Sequence, residues 1–139
     1  MRTLAECETI ETALEFEREE EGCVIRFSNP RNSEVRVHQI DGDVFEQGDP
    51  KRCDWLFIDG TQTWYYVELK SSDIDKAYVQ LESTITHIPA PAGCKRKAIV
   101  VFARLIPRFS STIQTRQRAF LTRLATVLLV QPTPHIVNV

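Results

Sequence analysis

The chain has 139 residues, 42% hydrophobic and 26% charged, an ordinary globular composition and, by length, a single domain with a real core. Its longest apolar runs, 98–103 and 127–130, are far too short to span a bilayer. Four widely spaced cysteines with no C-x-x-C pair speak against a zinc site. Free thiols in a reducing, cytoplasmic setting are the expectation, and the acidic opening lacks the pattern of a signal peptide. The net charge of −2 hides an asymmetry: residues 1–70 carry 8 Lys+Arg and 16 Asp+Glu, residues 71–139 carry 9 and 3. The first half suits cations and the second suits phosphates.

Thr3 to Glu21 reads as a helix. Thr3 can cap it, with Glu6 placed as in a capping box. Leu4, Cys7, Glu11 and Leu14 follow the spacing of one helical face. A carboxylate in the middle of an apolar stripe needs a partner, which makes Glu11 a candidate metal ligand, with Glu8 and Glu17 as rivals. Gly22 reads as the helix end. Cys23 to Phe27 begins a strand, Asn29 to Ser33 is a loop, and Glu34 to Ile40 alternates as a strand. Gly48-Asp49-Pro50 punctuates before the next element.

Asp54 to Lys70 is a hairpin: two runs rich in aromatic and β-branched residues flank the turn dipeptide Asp59-Gly60. Glu68 and Lys70 project from the same face, roughly 7 Å apart. A three- or five-residue loop centred on Thr61 places Asp54 across from Glu68, with Cβ atoms about 5 Å apart. Two carboxylates so close repel unless a cation lies between them, and a divalent ion with oxygen ligands answers that. A two-residue turn at Asp59-Gly60 pairs Asp54 with Tyr65 instead.

After Lys70, Ser71-Ser72-Asp73 can cap a second helix with an apolar face at Ile74, Ala77, Tyr78, Leu81 and Ile85. Pro89 and Pro91 end it. Lys97 to Ile106 holds a nearly continuous apolar run, as in an interior strand. Thr112 to Arg123 reads as a basic helix and Ala125 to Val130 as a last buried strand. Gln131 to Val139 is a tail or an edge strand. The order is α-β-β-β-β-α-β-α-β, giving a mixed sheet with helices on both faces.

Asp54, a spacer, then Glu68-Leu69-Lys70 resembles the signature of the PD-(D/E)xK nuclease superfamily. Cys53 stands where the family motif has proline. The helix–Gly–strand opening resembles the Holliday-junction-resolvase-like branch. The resemblance implies a restriction-endonuclease-like αβββαβ core over about residues 3–103, with residues 104–139 as an extension of one domain. It implies a Mg²⁺-dependent nuclease acting on DNA, with Mn²⁺ as a substitute. Asp54, Glu68, the Leu69 carbonyl and Glu11 would be metal ligands; Lys70 and Gln80 would join Asp54 and Glu68 in catalysis.

Lys95, Arg96, Lys97, Arg116, Arg118 and Arg123 are candidates for phosphate contacts, and Trp55 or Trp64 for stacking on a base, with core packing as the alternative for both tryptophans. A homodimer, or a larger defence or repair complex, fits a small chain that cuts both strands of a duplex. The alternative is the same fold without catalysis, kept for nucleic-acid binding or assembly. His38, His87 and His135 share no ligand spacing, and His38 reads as an exposed strand residue.

Overall fold

The computed structural model describes residues 2–45, 51–104 and 110–139. The expected turn at Gly48-Asp49-Pro50 and the expected strand end at Ile106 lie outside them. A 3-10 turn at Ala5–Cys7 is followed by β1 (Glu8–Glu11), β2 (Glu15–Glu20), β3 (Cys23–Ser28), β4 (Val35–Gln39), β5 (Trp55–Ile58) and β6 (Trp64–Lys70). Then come α1 (Ile74–His87), β7 (Arg96–Phe102), α2 (Ser110–Leu124), β8 (Val127–Pro132) and β9 (His135–Asn138). The fold class is mixed α/β, as expected. A six-stranded mixed sheet, β1-β4-β5-β6-β7-β8, is joined by a three-stranded sheet, β2-β3-β9.

The expected helix over residues 3–21 is a 3-10 turn and two strands. Glutamate-rich sequence favours a helix locally, but tertiary pairing decides here. Glu21 and Gly22 both have positive φ, 53° and 78°, as a two-residue type I′ hairpin turn requires. Gly22 therefore joins two strands rather than ending a helix. Phe16 faces inward and packs on Phe27 with ring centroids 5.0 Å apart, while the acids alternate outward. Arg26 bridges Glu17 at 3.1 Å and Glu15 at 3.4 Å, so cross-strand ion pairs offset the repulsion of that acidic row. Leu14, counted in the helical stripe, is 60% exposed.

The helices do not lie on both faces. Ile74, Ala77, Tyr78, Leu81 and Ile85 of α1 and Phe120 of α2 share one core with Leu56, Ile58, Trp64, Tyr66, Ala98 and Val100 of the large sheet. The opposite face, with Val37, Phe57, Tyr65, Val67, Leu69, Ile99 and Val101, is covered by Phe16, Ile25, Phe27 and Val137 of the small sheet. Both α1 and α2 connect parallel strands, and the small sheet occupies the face they leave. β8 is a partly exposed edge strand rather than a buried one, and residues 135–138 form the edge strand β9, parallel to β3.

The register of β5 against β6 is the feature that places the acids. Trp55 stands opposite Val67 and Ile58 opposite Trp64; just outside this ladder the Asp54 N–H donates to the Val67 carbonyl at 3.1 Å, which brings Asp54 beside the Glu68 end of β6. The turn is a three-residue loop, Gly60-Thr61-Gln62, closed by the Asp59 N–H to the Thr63 carbonyl at 3.2 Å, with Gln62 at φ 63°. A left-handed third residue is usual for such a loop. Asp59 holds it: its Oδ1 accepts from the Thr61 N–H, the Thr61 hydroxyl and the Thr63 N–H, and its Oδ2 from the Tyr65 hydroxyl. Asp59 is only 6% exposed. Asp59→Ala is therefore expected to cost about 2–4 kcal/mol, because several buried donors lose one shared acceptor. Denaturant unfolding of the variant beside the wild type measures it.

Candidate active site

Asp54 immediately precedes β5, and Glu68 and Lys70 are the fifth and last residues of β6. Side chains alternate along β6, so Glu68 and Lys70 lie on the face that α1 covers, and the Asp54 side chain reaches the same strand end. Glu68 is 2% exposed. Asp54 is half-buried, and its Oδ2 accepts the Leu69 N–H at 2.9 Å. The two carboxyl groups lie close enough to act on each other's ionisation.

Burial, and then the charge of Asp54, pushes Glu68 up to about 9. Burial pushes Asp54 up to about 6, with Glu20 and Asp41 adding to the rise. The Lys70 Nζ lies 3.9 Å from Glu68 Oε2 and favours the ionised carboxylate. Glu68 Oε1 is buried and accepts no N–H or O–H from the rest of the described protein. A pair of this kind is joined either by a shared proton or by a cation.

The donor set fits a hard divalent ion. Two carboxylates with waters in the remaining positions is the habit of Mg²⁺. Among the described residues no group of three His, Cys, Asp or Glu side chains forms that could hold a metal, so side-chain ligation rests on Asp54 and Glu68. The Leu69 main chain adjoins them through the N–H bonded to Asp54.

Gln80 reaches the site from α1. Its Nε2 donates to the Arg52 carbonyl at 3.2 Å, and its Oε1 is buried with no partner among the described residues. Together with Asp41, Lys51, Arg52, Lys70 and Lys76 it lines a cleft of about 230 Å³.

Glu11 lies elsewhere. It pairs with Val35 on β1, level with the hairpin turn, roughly 17 Å along the strands from Asp54, and it is bonded to Arg18 at 3.1 Å. Of its rivals, Glu8 faces His38 at 3.2 Å and Glu17 holds Arg26. The first segment still sends acids to this end, from its hairpin turn: Glu20 acts on Asp54, and Glu21 accepts from the Ser71 hydroxyl at 3.5 Å. Their signal was Gly22, once it is recognised as a turn.

Lys95, Arg96 and Lys97 start at the other end of the sheet. Arg96 is level with Trp64 and Val100 with Glu68, a separation of roughly 13 Å. Arg96 is tied to the Ala90 and Pro91 carbonyls, and Lys97 lies 5.7 Å over the Tyr65 ring. On α2, Arg116 stacks 5.3 Å over Tyr78, Arg118 is exposed, and Arg123 lines a small cavity with Glu82, Arg116 and Phe120. Both tryptophans pack. Trp64 is buried at 7% exposure, and Trp55 stacks on Phe57 beneath Arg18. His38, expected to be exposed, is 1% exposed; its ring nitrogens meet Glu8 and the Leu56 carbonyl.

The cations that do reach the cleft, Lys51, Arg52 and Lys76, were not singled out by the sequence pattern. Their signal was position: each lies within six residues of Asp54 or Lys70, at the strand ends where those residues sit.

Among the described residues, no helix is long and apolar enough to cross a membrane. No family model, curated protein or solved structure matches the chain.

Proposed function

We propose that this chain is a Mg²⁺-dependent nuclease that hydrolyses phosphodiester bonds in DNA, similar in its motif to the PD-(D/E)xK superfamily. The observation that carries the reading is the meeting of Asp54 and Glu68 at one end of the β5–β6 hairpin, with Lys70 alongside. A chance Asp and E-x-K have no reason to converge in this way. The missing N-terminal helix departs from the family's usual core, so the proposal rests on the site and not on the outline of the fold.

In this mechanism Asp54 and Glu68 would hold the ion. When bound, a divalent ion would supply a water of lowered pKa and positive charge against the phosphate. Lys70 places an ammonium beside the same carboxylates, where it stabilises negative charge developing on the phosphoryl oxygens. Gln80 offers its buried Oε1 as an acceptor that can orient the attacking water. The water oxygen bonds to phosphorus and gives up a proton to solvent, the bond to the leaving sugar oxygen breaks, and that oxygen takes a proton from solvent.

Cleavage of plasmid and of single-stranded oligonucleotides tests this directly. Activity is expected with Mg²⁺ or Mn²⁺, is lost on chelation with EDTA, and returns when the ion is restored. Metal-independent cleavage, or none on any DNA substrate, would overturn the proposal. In the second case a non-catalytic binding or assembly role takes its place.

A further inference from the structure

Beside the acid pair, four cations line one small cleft with a single carboxylate: Lys51, Arg52, Lys70 and Lys76 against Asp41. Asp41 is already engaged by the Arg52 Nε at 2.9 Å. Lys51 and Lys76 are both exposed, and neither makes an ion pair among the described residues. They come from separate segments, the approach to β5 and the first turn of α1, and meet on the same cavity. Two such lysines, without an ion-pair partner among the described residues, raise the local potential for an anion. The floor is polar: Gln80 is fixed by its bond to the Arg52 carbonyl.

We propose that this cleft is a phosphate subsite, taking a phosphate of a single nucleic-acid strand next to the bond that Asp54, Glu68 and Lys70 act on. The proposal rests on the nuclease reading and adds what the strand touches. At about 230 Å³ the cleft is smaller than typical ligand pockets of roughly 300–1,000 Å³. It has room for one phosphate with part of its sugar. The basic run Lys95–Lys97 stands at the opposite end of the sheet and plays no part in this subsite.

The test is equilibrium binding, without turnover, of a fluorescent single-stranded oligonucleotide to the full chain in EDTA, with and without a 5′-phosphate. The proteins are wild type, the double variant K51Q/K76Q, and K95Q/K97Q. The first double variant is expected to weaken binding at least about tenfold at low salt. It should also flatten the dependence of log affinity on log salt by at least about 0.7, the share of one phosphate on a single strand. K95Q/K97Q should change neither.

Loss confined to the 5′-phosphorylated oligonucleotide assigns the subsite to a strand end. Equal loss in both assigns it to an internal phosphate. Wild-type affinity and slope in K51Q/K76Q would overturn the subsite. Thermal melting checks that both variants fold. Metal-dependent cleavage by a wild type whose binding ignores these lysines would sink the subsite alone. A lysine-dependent binder that never cleaves would sink the nuclease reading alone.

Discussion

Replacing Lys70 with methionine is expected to lower the cleavage rate by about 10²–10³-fold, the usual cost of removing one preorganised electrostatic group from a transition state. The reason is geometric. Lys70 is mostly buried, 19% exposed at the side chain, with its ammonium 3.9 Å from Glu68. A charge held in a partly dry site acts more strongly than one in water. Methionine keeps much of the packed stem and removes only the charge. The same substitution should leave metal affinity equal or higher, because a competing cation leaves the neighbourhood of the carboxylates. A fall in kcat with metal binding retained identifies Lys70 as acting on the reacting phosphate. Unchanged kcat would remove it from the mechanism.

Glu68→Gln is expected to abolish metal-dependent cleavage while making the metal-free protein more stable at alkaline pH. Glu68 carries its charge in a nearly closed site against Asp54, and the folded protein resists that charge. Its folded pKa, pushed up to about 9 by burial and then by Asp54, lies above the ordinary value of 4.5. Asp54 likewise rises from 3.8 to about 6.

Folded protein therefore holds protons that the unfolded chain has released, and the sign follows from linkage. The stability tied to these groups is fully present below about pH 4. It is lost as pH rises, through about 6 for Asp54 and about 9 for Glu68. Glutamine keeps the shape, offers an N–H to Asp54, and removes the Glu68 part of this slope. At pH 8.5 in EDTA the variant should melt at least about 3 °C above the wild type, on the scale of 1 kcal/mol for a domain of this size. The gap should close toward pH 5. Stability gained by dismantling a strained polar site is a common trade against activity. A variant less stable than wild type at pH 8.5 would show that the pair is not strained.

The Asp54–Lys70 hairpin was more legible in the sequence than the N-terminal segment. It is local, so alternation and a turn dipeptide suffice to pair it. Only the loop length stayed open, and Asp59, by capping a three-residue loop, resolves it in favour of Trp55 opposite Val67, with Asp54 beside Glu68. Helices α1 and α2 were legible for the same reason, since their apolar spacing is a short-range pattern.

The N-terminal segment was not. β2 is a strand because it pairs with β3, and β3 is held from its other side by β9, over a hundred residues away. Leu4, Cys7, Glu11 and Leu14 satisfy helical spacing by coincidence, whereas the inward Phe16 and the positive φ of Glu21 and Gly22 belong to a hairpin. The basic residues were misjudged for a topological reason. β7 runs parallel to β6, so residues 95–97 at its start must lie at the end away from Lys70. Residues just before β5 and just after β6 share the end with the acids, which is how Lys51 and Lys76 come to face the same cleft.

The most direct measurement is a calorimetric titration of Mn²⁺ into metal-free wild type and Glu68→Gln at neutral pH, repeated in two buffers of different ionisation heat. An ion shared by Asp54 and Glu68 predicts one ion per chain, release of about one proton from Glu68, whose pKa burial pushes up to about 9, and loss of the signal in the variant. Binding that survives Glu68→Gln, or that releases no proton, would contradict a cation held between these two side chains.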